Sequence, residues 1–262
     1  MMFQEIQPGI YQVKLPMPLK LDHVNCYALQ GERGWSLIDT GLNTEQCREA
    51  WREFLAAKHI QPGDIREIYL THFHPDHYGA AGWLQELSGA PVYISRQDAA
   101  AAQEFWVHEE VKGNTGALFC AHGMPQGLID GVLHSQRKLL PYTRPHPRLS
   151  LISANQTVPL GDDDYQIIFT PGHSDGHVCF YHEQKGLLFS GDHLLSKITS
   201  NVSYWPGSAP DPLKSYLSSI KNNYRLDCRL VLPAHGDIFH NLRARIRQLA
   251  VHHVKRLKVM AN

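Results

Sequence analysis

Apolar positions along the chain alternate in some stretches and recur at helical spacing in others. "GIYQVKLP" (9–16) and "VNCYALQ" (24–30) read as strands, with "GERG" as the turn between the second and "WSLIDTG" (35–41). "NTEQCREAWREFLAAKHI" (43–60) places small and apolar residues three and four apart, a helix that Asn43 or Thr44 can cap. A turn at "QPGD" leads to a short apolar strand, Ile68 to Leu70. "HYGAAGWLQELSG" (77–89) reads as a helix ended by Gly89, and "APVYIS" (90–95) as a strand. Residues 97–148 begin Ala-rich and then carry Gly, Pro and scattered histidines, which predicts a helical insertion within a single domain spanning 1–262. The β pattern returns in "SLISANQTVPLG", "YQIIFTPG", "HVCFYHE" and "GLLFSGD". A loop over 193–211, a helix "PLKSYLSSIKNNY", a strand in "CRLVLPAHG" and a last helix from about 239 to 259 complete the order. Two runs of strands, each followed by helices, predict an α+β chain with two sheets face to face and helices outside each.

Composition narrows the function. The 262 residues contain 43% apolar residues, enough for a sizeable core, and Lys+Arg equals Asp+Glu at 25 each. Zero formal charge argues against a basic field over the whole surface. The last helix does gather Arg243, Arg245, Arg247, Lys255, Arg256 and Lys258, with no acidic residue after His240, which leaves a local phosphate-binding patch or a solvated cationic helix end as readings. Five dispersed cysteines without a C-x-x-C pair predict reduced thiols. No cationic start followed by an apolar run opens the chain, and no stretch of about 18 apolar residues exists, so a soluble cytoplasmic protein without a membrane span is the expectation. Oligomeric state is open.

Histidine, at 17, is the outlier. "THFHPDH" (71–77) offers His72, His74, Asp76 and His77 where an apolar strand stops. Alternate side chains of an extended segment share a face, so His72 and His74 can grip one ion. If Pro75 then opens a helix, Asp76 and His77 point to a second position. His173, Asp192 and His235 each follow an apolar run as well, "IIF", "LLF" and "LVL", and strands ending at one sheet edge would bring the four tips together. Gly172, Gly191 and Gly236 beside them permit tight turns. Imidazole and carboxylate donors suit Zn, Fe or Mn. Pairs of such ions lower the pKa of water towards about 7 and supply a nucleophile without a protein serine or cysteine.

From "LIDTG" (37–41) through "THFHPDH", "TPGHSDGH" and "SGD" to "AHG" (234–236), these motifs resemble the metallo-β-lactamase superfamily. The resemblance implies a four-layer αββα sandwich with a two-metal site at one edge, zinc being expected and iron or manganese compatible. It implies that His72, His74 and His173 hold one ion, that Asp76, His77 and His235 hold the other, and that Asp192 bridges them. Asp39 would orient a ligand histidine, or be a turn aspartate before Gly41. Asp76 would also orient the bridging hydroxide and carry a proton. His177 is either a neighbour of the ligands or a structural histidine. Lys197, Tyr204 and Trp205 are candidates for lining the substrate pocket, against the plainer reading of a surface lysine and two packing aromatics. Phe105 and Trp106 read as core more than as pocket.

"TPGHSDGHV" resembles the glyoxalase II-like hydrolases, although the glutathione-binding C-terminal region of that group is not recognisable, and "DHLLSKITSNVSYWP" with "AVHHVKRL" looks like the β-lactamase-like 2 group. The implied activity is hydrolysis of a small thioester, lactone or related acyl substrate by a metal-bridging hydroxide. The alternatives are a metallo-phosphodiesterase or single-strand ribonuclease, and a mononuclear iron persulfide (sulfur) dioxygenase.

Overall fold

Two sheets lie face to face in the computed structural model, which describes residues 2–18, 21–108 and 111–261. The first has seven strands in chain order: β1 (Phe3–Gln7), β2 (Ile10–Pro16), β3 (His23–Gly31), β4 (Gly34–Ile38), β5 (Ile65–Tyr69), β6 (Val92–Ser95) and β7 (Leu149–Ile152). Its first four strands pair antiparallel and the rest parallel. The second sheet runs β12 (Leu230–Pro233), β11 (Leu187–Gly191), β10 (Val178–His182), β9 (Asp163–Phe169) and β8 (Thr157–Leu160), antiparallel except for β11 beside β12.

The layers follow from the two-residue period of each strand. Tyr27 and Leu29 of β3 face the second sheet, where they join Phe180 and Phe189; the rings of Tyr27 and Phe189 stand 5.0 Å apart, edge to face. Cys26 and Ala28, alternating with them, face outward with Val13, Leu37 and Ile68. That outer face is covered by α1 (Glu45–Ala57) and α3 (Ala81–Ser88). On the other side Cys179, Leu188 and Val231 meet Tyr216 and Ile220 of α7 (Pro212–Asn223) and Leu242, Ile246 and Leu249 of α8 (Leu242–Met260). Three separate apolar clusters therefore make four layers, as the sequence resemblance implies.

Local signals set the helices. Thr44, not Asn43, caps α1 by accepting from the Cys47 N–H, and Cys47, Ala50, Trp51, Phe54 and Leu55 form its buried stripe. Pro75 occupies the first turn of the short α2 (Pro75–Tyr78), a separate helix from α3, and Gly89 ends α3 in the left-handed region at φ 75°. Residues 97–143 are largely helical and 144–148 are not: α4 (Arg96–Ala102), a π-helical turn (Gln103–Val107), α5 (Val111–Ala121), α6 (Gln126–Leu139) and a 3-10 turn (Leu140–Thr143), with 109 and 110 outside the described residues.

Three boundaries differ from the sequence reading: the last helix begins at Leu242 and not at 239, since Phe239 bridges to Val231 and Asn241 is left-handed, and two strands differ as well. The strand before the histidine cluster is β5, Ile65–Tyr69, with Leu70 just past its end still donating its N–H to Tyr93 O of β6 at 2.8 Å. "SLISANQTVPLG" is not one strand. It breaks at 153–156 and passes from the first sheet to the second, with Asn155 at φ 59° in the turn. No helix among the described residues is long and apolar enough to cross a membrane.

Candidate metal centre

The C-terminal ends of β4, β5, β9, β11 and β12 converge on one edge of the sandwich. Backbone hydrogen bonds fasten the two sheets there: Val178 N–H to Thr71 O at 2.9 Å, and Asn25 N–H to Ala234 O at 2.7 Å. Within the second sheet, Ala234 N–H donates to Gly191 O at 3.0 Å and holds two of the loops side by side. The segments that leave these strands, including the short α2 with Asp76 and His77, carry all seven residues singled out for metal binding. Their donor atoms form three groups, His72/His74/His173, His72/His77/Asp192 and Asp76/His77/His235, each with its atoms within 4.8 Å of one another.

Two glycines let the loops come this close. Gly172 has φ 137°, and a Cβ there would stand 2.4 Å from Cβ of Tyr216 on α7; His173 follows directly. Gly191 has φ 49°, and its Cβ would lie 2.7 Å from Nε2 of His177; Asp192 follows. Any side chain at either place would push a donor out of the group.

Hydrogen bonds fix which nitrogen each imidazole presents. His173 donates Nδ1–H to Asn201 O at 2.7 Å, and His235 donates to His23 O at 3.1 Å. His77 donates to Oδ2 of Asp39 at 2.8 Å. The Thr71 hydroxyl donates to the same carboxylate, 2.8 Å away, so it accepts from Nδ1 of His72 at 3.0 Å. Each of the four rings thus turns Nε2 inward. Asp39 orients His77 and also accepts from the Thr71 main chain at 2.8 Å; it is the buried anchor of β4 and β5, held at φ 61°.

The electrostatics divide the site. Burial and the neighbouring rings push His72 well below its ordinary range, burial and His173 lower His74 to about 3, and burial lowers His173 against the pull of Asp192, so this side favours neutral imidazoles. On the other side, burial opposes charge on His77, but Asp39, Asp76 and Asp192 outweigh it and raise the ring to about 10. His235 goes up to about 9 against its burial, through Asp192 and Asp76. Burial likewise opposes the charges of Asp76 and Asp192, yet their histidine neighbours hold both carboxyls below the usual range. Asp192 reaches both sides, with Oδ2 at 3.4 Å from His173 Nε2 and Oδ1 at 3.3 Å from His235 Nε2.

The remaining candidates separate. His177 is buried beside the cluster and accepts at Nε2 from the Asp192 N–H at 3.1 Å, with Nδ1 donating to Thr170 Oγ1 at 2.8 Å, so it holds the main chain of Asp192. Trp205 lines a cavity of about 280 Å³ that opens beside His74 and His173. Tyr204 is 46% exposed, stands against His122 and is not among the residues lining that cavity. The side chain of Lys197 is 81% exposed, pairs with Asp237 at 2.7 Å and does not line the cavity either. The aromatic pair also splits: Trp106 is core, donating Nε1–H to Phe73 O at 2.8 Å, while Phe105 is a cavity wall. Asp98, at the start of α4, escaped the sequence reading. It is 1% exposed, lines the cavity and is pushed by burial up to about 7, against the hydrogen bonds of Ser174, Gly176 and Phe73. Its only local mark is Ser95 three residues earlier, whose hydroxyl accepts from the Asp98 N–H as a helix cap.

Comparisons agree with this geometry. The sequence profile of the Metallo-beta-lactamase superfamily matches residues 19–235. The chain is 26% identical over 249 residues to "Probable metallo-hydrolase YqjP" of Bacillus subtilis, covering 91% of this chain and 75% of that protein. It is 26% identical over 238 residues to "Atrochrysone carboxyl ACP thioesterase" of Aspergillus fumigatus, covering 89% of this chain but only 57% of that protein. Among solved structures, a metallo-beta-lactamase family protein from Thermus thermophilus superposes with a TM-score of 0.88 at 32% identity, covering 97% of this chain and 82% of that one. A beta-lactamase domain protein from Burkholderia ambifaria gives 0.82 at 28% identity, covering 98% and 77%.

Proposed function

The chain belongs to the metallo-beta-lactamase superfamily, and from that footing we propose that it is a binuclear metal-dependent hydrolase of a small acyl compound, a thioester before a lactone. The observation that carries the reading is the inward-turned donor set. Nε2 of His72 and Nε2 of His173 face each other at 3.1 Å while both rings spend their N–H elsewhere. Two lone pairs at that separation repel unless a cation stands between them. Nε2 of His77 and Oδ1 of Asp192 are buried without a hydrogen-bond partner, a costly state that metal ligation would relieve. His72, His74 and His173 would hold one ion and Asp76, His77 and His235 the other, with Asp192 shared. Imidazoles and carboxylates suit zinc, and equally iron or manganese, with the protons on His77 and His235 given up as an ion binds.

A pair of divalent ions there would supply Lewis acidity and water ionised at neutral pH. The protein's share of the chemistry is placement and proton handling. Asp39, Asn201 and His23 keep three imidazoles in the ligating tautomer. Asp76, partly buried with Oδ2 at 3.2 Å from His235 Nε2, would orient the ionised water and pass a proton to the leaving group. The cavity beside His74 and His173 receives the acyl arm. Phe73, Phe105, Trp205 and Pro206 give it apolar walls, and no Lys or Arg appears among the described residues that line it. A phosphate backbone would need cations there, so the lining favours an uncharged acyl group over RNA. Three arginines of α8 are likewise engaged: Arg245 donates to Leu195 O and Ile198 O, and Arg243 and Arg247 stack over Tyr224. The thioesterase named among the relatives supports the same substrate class.

The test is a panel of an aliphatic acyl thioester, a lactone, single-stranded RNA and a glutathione persulfide, given to metal-loaded protein whose metal content is measured. Turnover of the thioester with two ions per chain is the expected result. Turnover of RNA alone, or one iron per chain with oxygen consumed on the persulfide, would replace the reading.

Asp39→Asn gives a separate expected outcome. Asparagine tolerates the left-handed backbone, so the chain folds. Its amide cannot replace a carboxylate that accepts from both Thr71 and His77. Metal affinity, measured by competition with a chromogenic chelator, drops by roughly 10- to 100-fold.

A further inference from the structure

Asp98 belongs to none of the strand-end loops, yet its carboxylate is bonded to two of them. Oδ2 accepts from the Phe73 N–H at 3.1 Å and from the Ser174 hydroxyl at 2.6 Å, and Oδ1 accepts from the Gly176 N–H at 2.7 Å. Phe73 lies between His72 and His74, and Ser174 follows His173. One buried carboxylate therefore ties the loop carrying two imidazoles to the loop carrying the third. The approach is close: a Cβ on Gly176 would stand 2.1 Å from Ser95 Oγ and 2.6 Å from Asp98 Oδ1. The Asp76/His77/His235 side has no such tie to Asp98. Its neighbours are Asp39 and the main chain of His23.

We propose that Asp98 is a positioning residue for one ion only: by bonding Phe73, Ser174 and Gly176 it sets the spacing of His72, His74 and His173, and it leaves the Asp76/His77/His235 position to other supports. The same residue heads α4, whose Gln97, Ala100 and Ala101 wall the cavity, so the metal-binding edge and the acyl pocket share one fixed element. This rests on the two-metal reading above.

The physical reason for a selective effect is geometric. Metal affinity depends on donors held in place before the ion arrives, and groups that hold ligands typically carry a 10- to 100-fold effect on binding. In Asp98→Asn the amide keeps the volume but turns an NH₂ towards at least one of three donors, whichever way it flips. One loop is released and His173 loses its fixed distance from His72 and His74.

The experiment is titration of metal-free wild type, D98N and S174A with cobalt(II), read by visible absorption, alongside thermal melts of the metal-free proteins. H74A and H235A supply the spectra of chains impaired at one position each. In D98N the band missing from H74A should need about 10- to 100-fold more cobalt, while the band missing from H235A shifts less than threefold. S174A, which removes one donor and keeps the carboxylate, should shift the same band in the same direction by less, and it carries the test should D98N fail to fold. Equal weakening of both bands, or no shift in either variant, overturns the proposal. A wild type that takes up no cobalt at the cluster instead removes the two-metal reading itself.

Discussion

Asp192→Ala should reduce kcat/KM for the hydrolysed substrate by on the order of 10³, about 4 kcal/mol of barrier, and should leave the chain unable to retain two ions through gel filtration. The reason is its double reach. Its two oxygens stand 3.4 Å from His173 and 3.3 Å from His235, on opposite sides of the cluster, and 3.6 Å separates Oδ1 from His77. Truncation removes a donor from both positions at once. It also deletes the largest of the charges that raise His235, while His77 keeps the pull of Asp39 and Asp76, so His235 relaxes further towards an ordinary histidine than His77 does. Asp192→Asn keeps the shape and loses the charge, and should fall between alanine and wild type. Activity and metal content measured together decide the matter. A variant that keeps two ions and most of its activity would show that Asp192 does not join the two positions.

The second large effect is a split in pH dependence. At neutral pH the metal-free chain holds protons on His77 and His235, and an ion entering beside Asp76 must displace both. Affinity at that position should rise about 100-fold per pH unit between pH 6 and 8, one decade for each proton released. His72 and His74 are pushed down by burial and the neighbouring rings, and His173 by burial against the pull of Asp192, so an ion there has far fewer protons to displace. Their ion should bind with almost no pH slope. Calorimetry in buffers of different ionisation enthalpy counts the protons, and equal slopes for the two ions would refute the division. Stability follows from the same rings. Both hold a proton more tightly in the folded chain than in the unfolded one, so their contribution is complete below about pH 6.5 and is lost as pH rises through 9 and 10. Melting of metal-free protein should fall across that window.

Much of this site can be read from the chain because its chemistry is compressed into short motifs at strand ends. Four of the seven donors occupy six consecutive positions, and the other three each follow an apolar run and a glycine or small residue. Asp39 likewise sits where β4 stops, and its partner His77 lies in the same compressed motif. Asp98 was not legible, since S-x-x-D at a helix start reads as a cap, which it also is. Its second role depends on contacts with residues 25 and 76 to 78 positions away. Lys197, Tyr204 and Trp205 come from one loop without periodicity, where only packing decides that the tryptophan turns in towards Phe105 and Phe119 while its neighbours face solvent. The break between β7 and β8 was missed because both halves carry the same alternation; the partner sheet changes while the pattern does not.

The fastening of the two sheets at this edge has a mechanical meaning. Four candidate ligands hang from the seven-stranded half and three from the five-stranded half, and neither half owns a complete set. A cation bound there would act as a rivet through the sandwich, and drawing it out with a chelator should loosen the seam between the halves before either unravels. Amide exchange should quicken first at Val178 and Asn25, whose N–H groups cross that seam, while the middle of β3 keeps its protection.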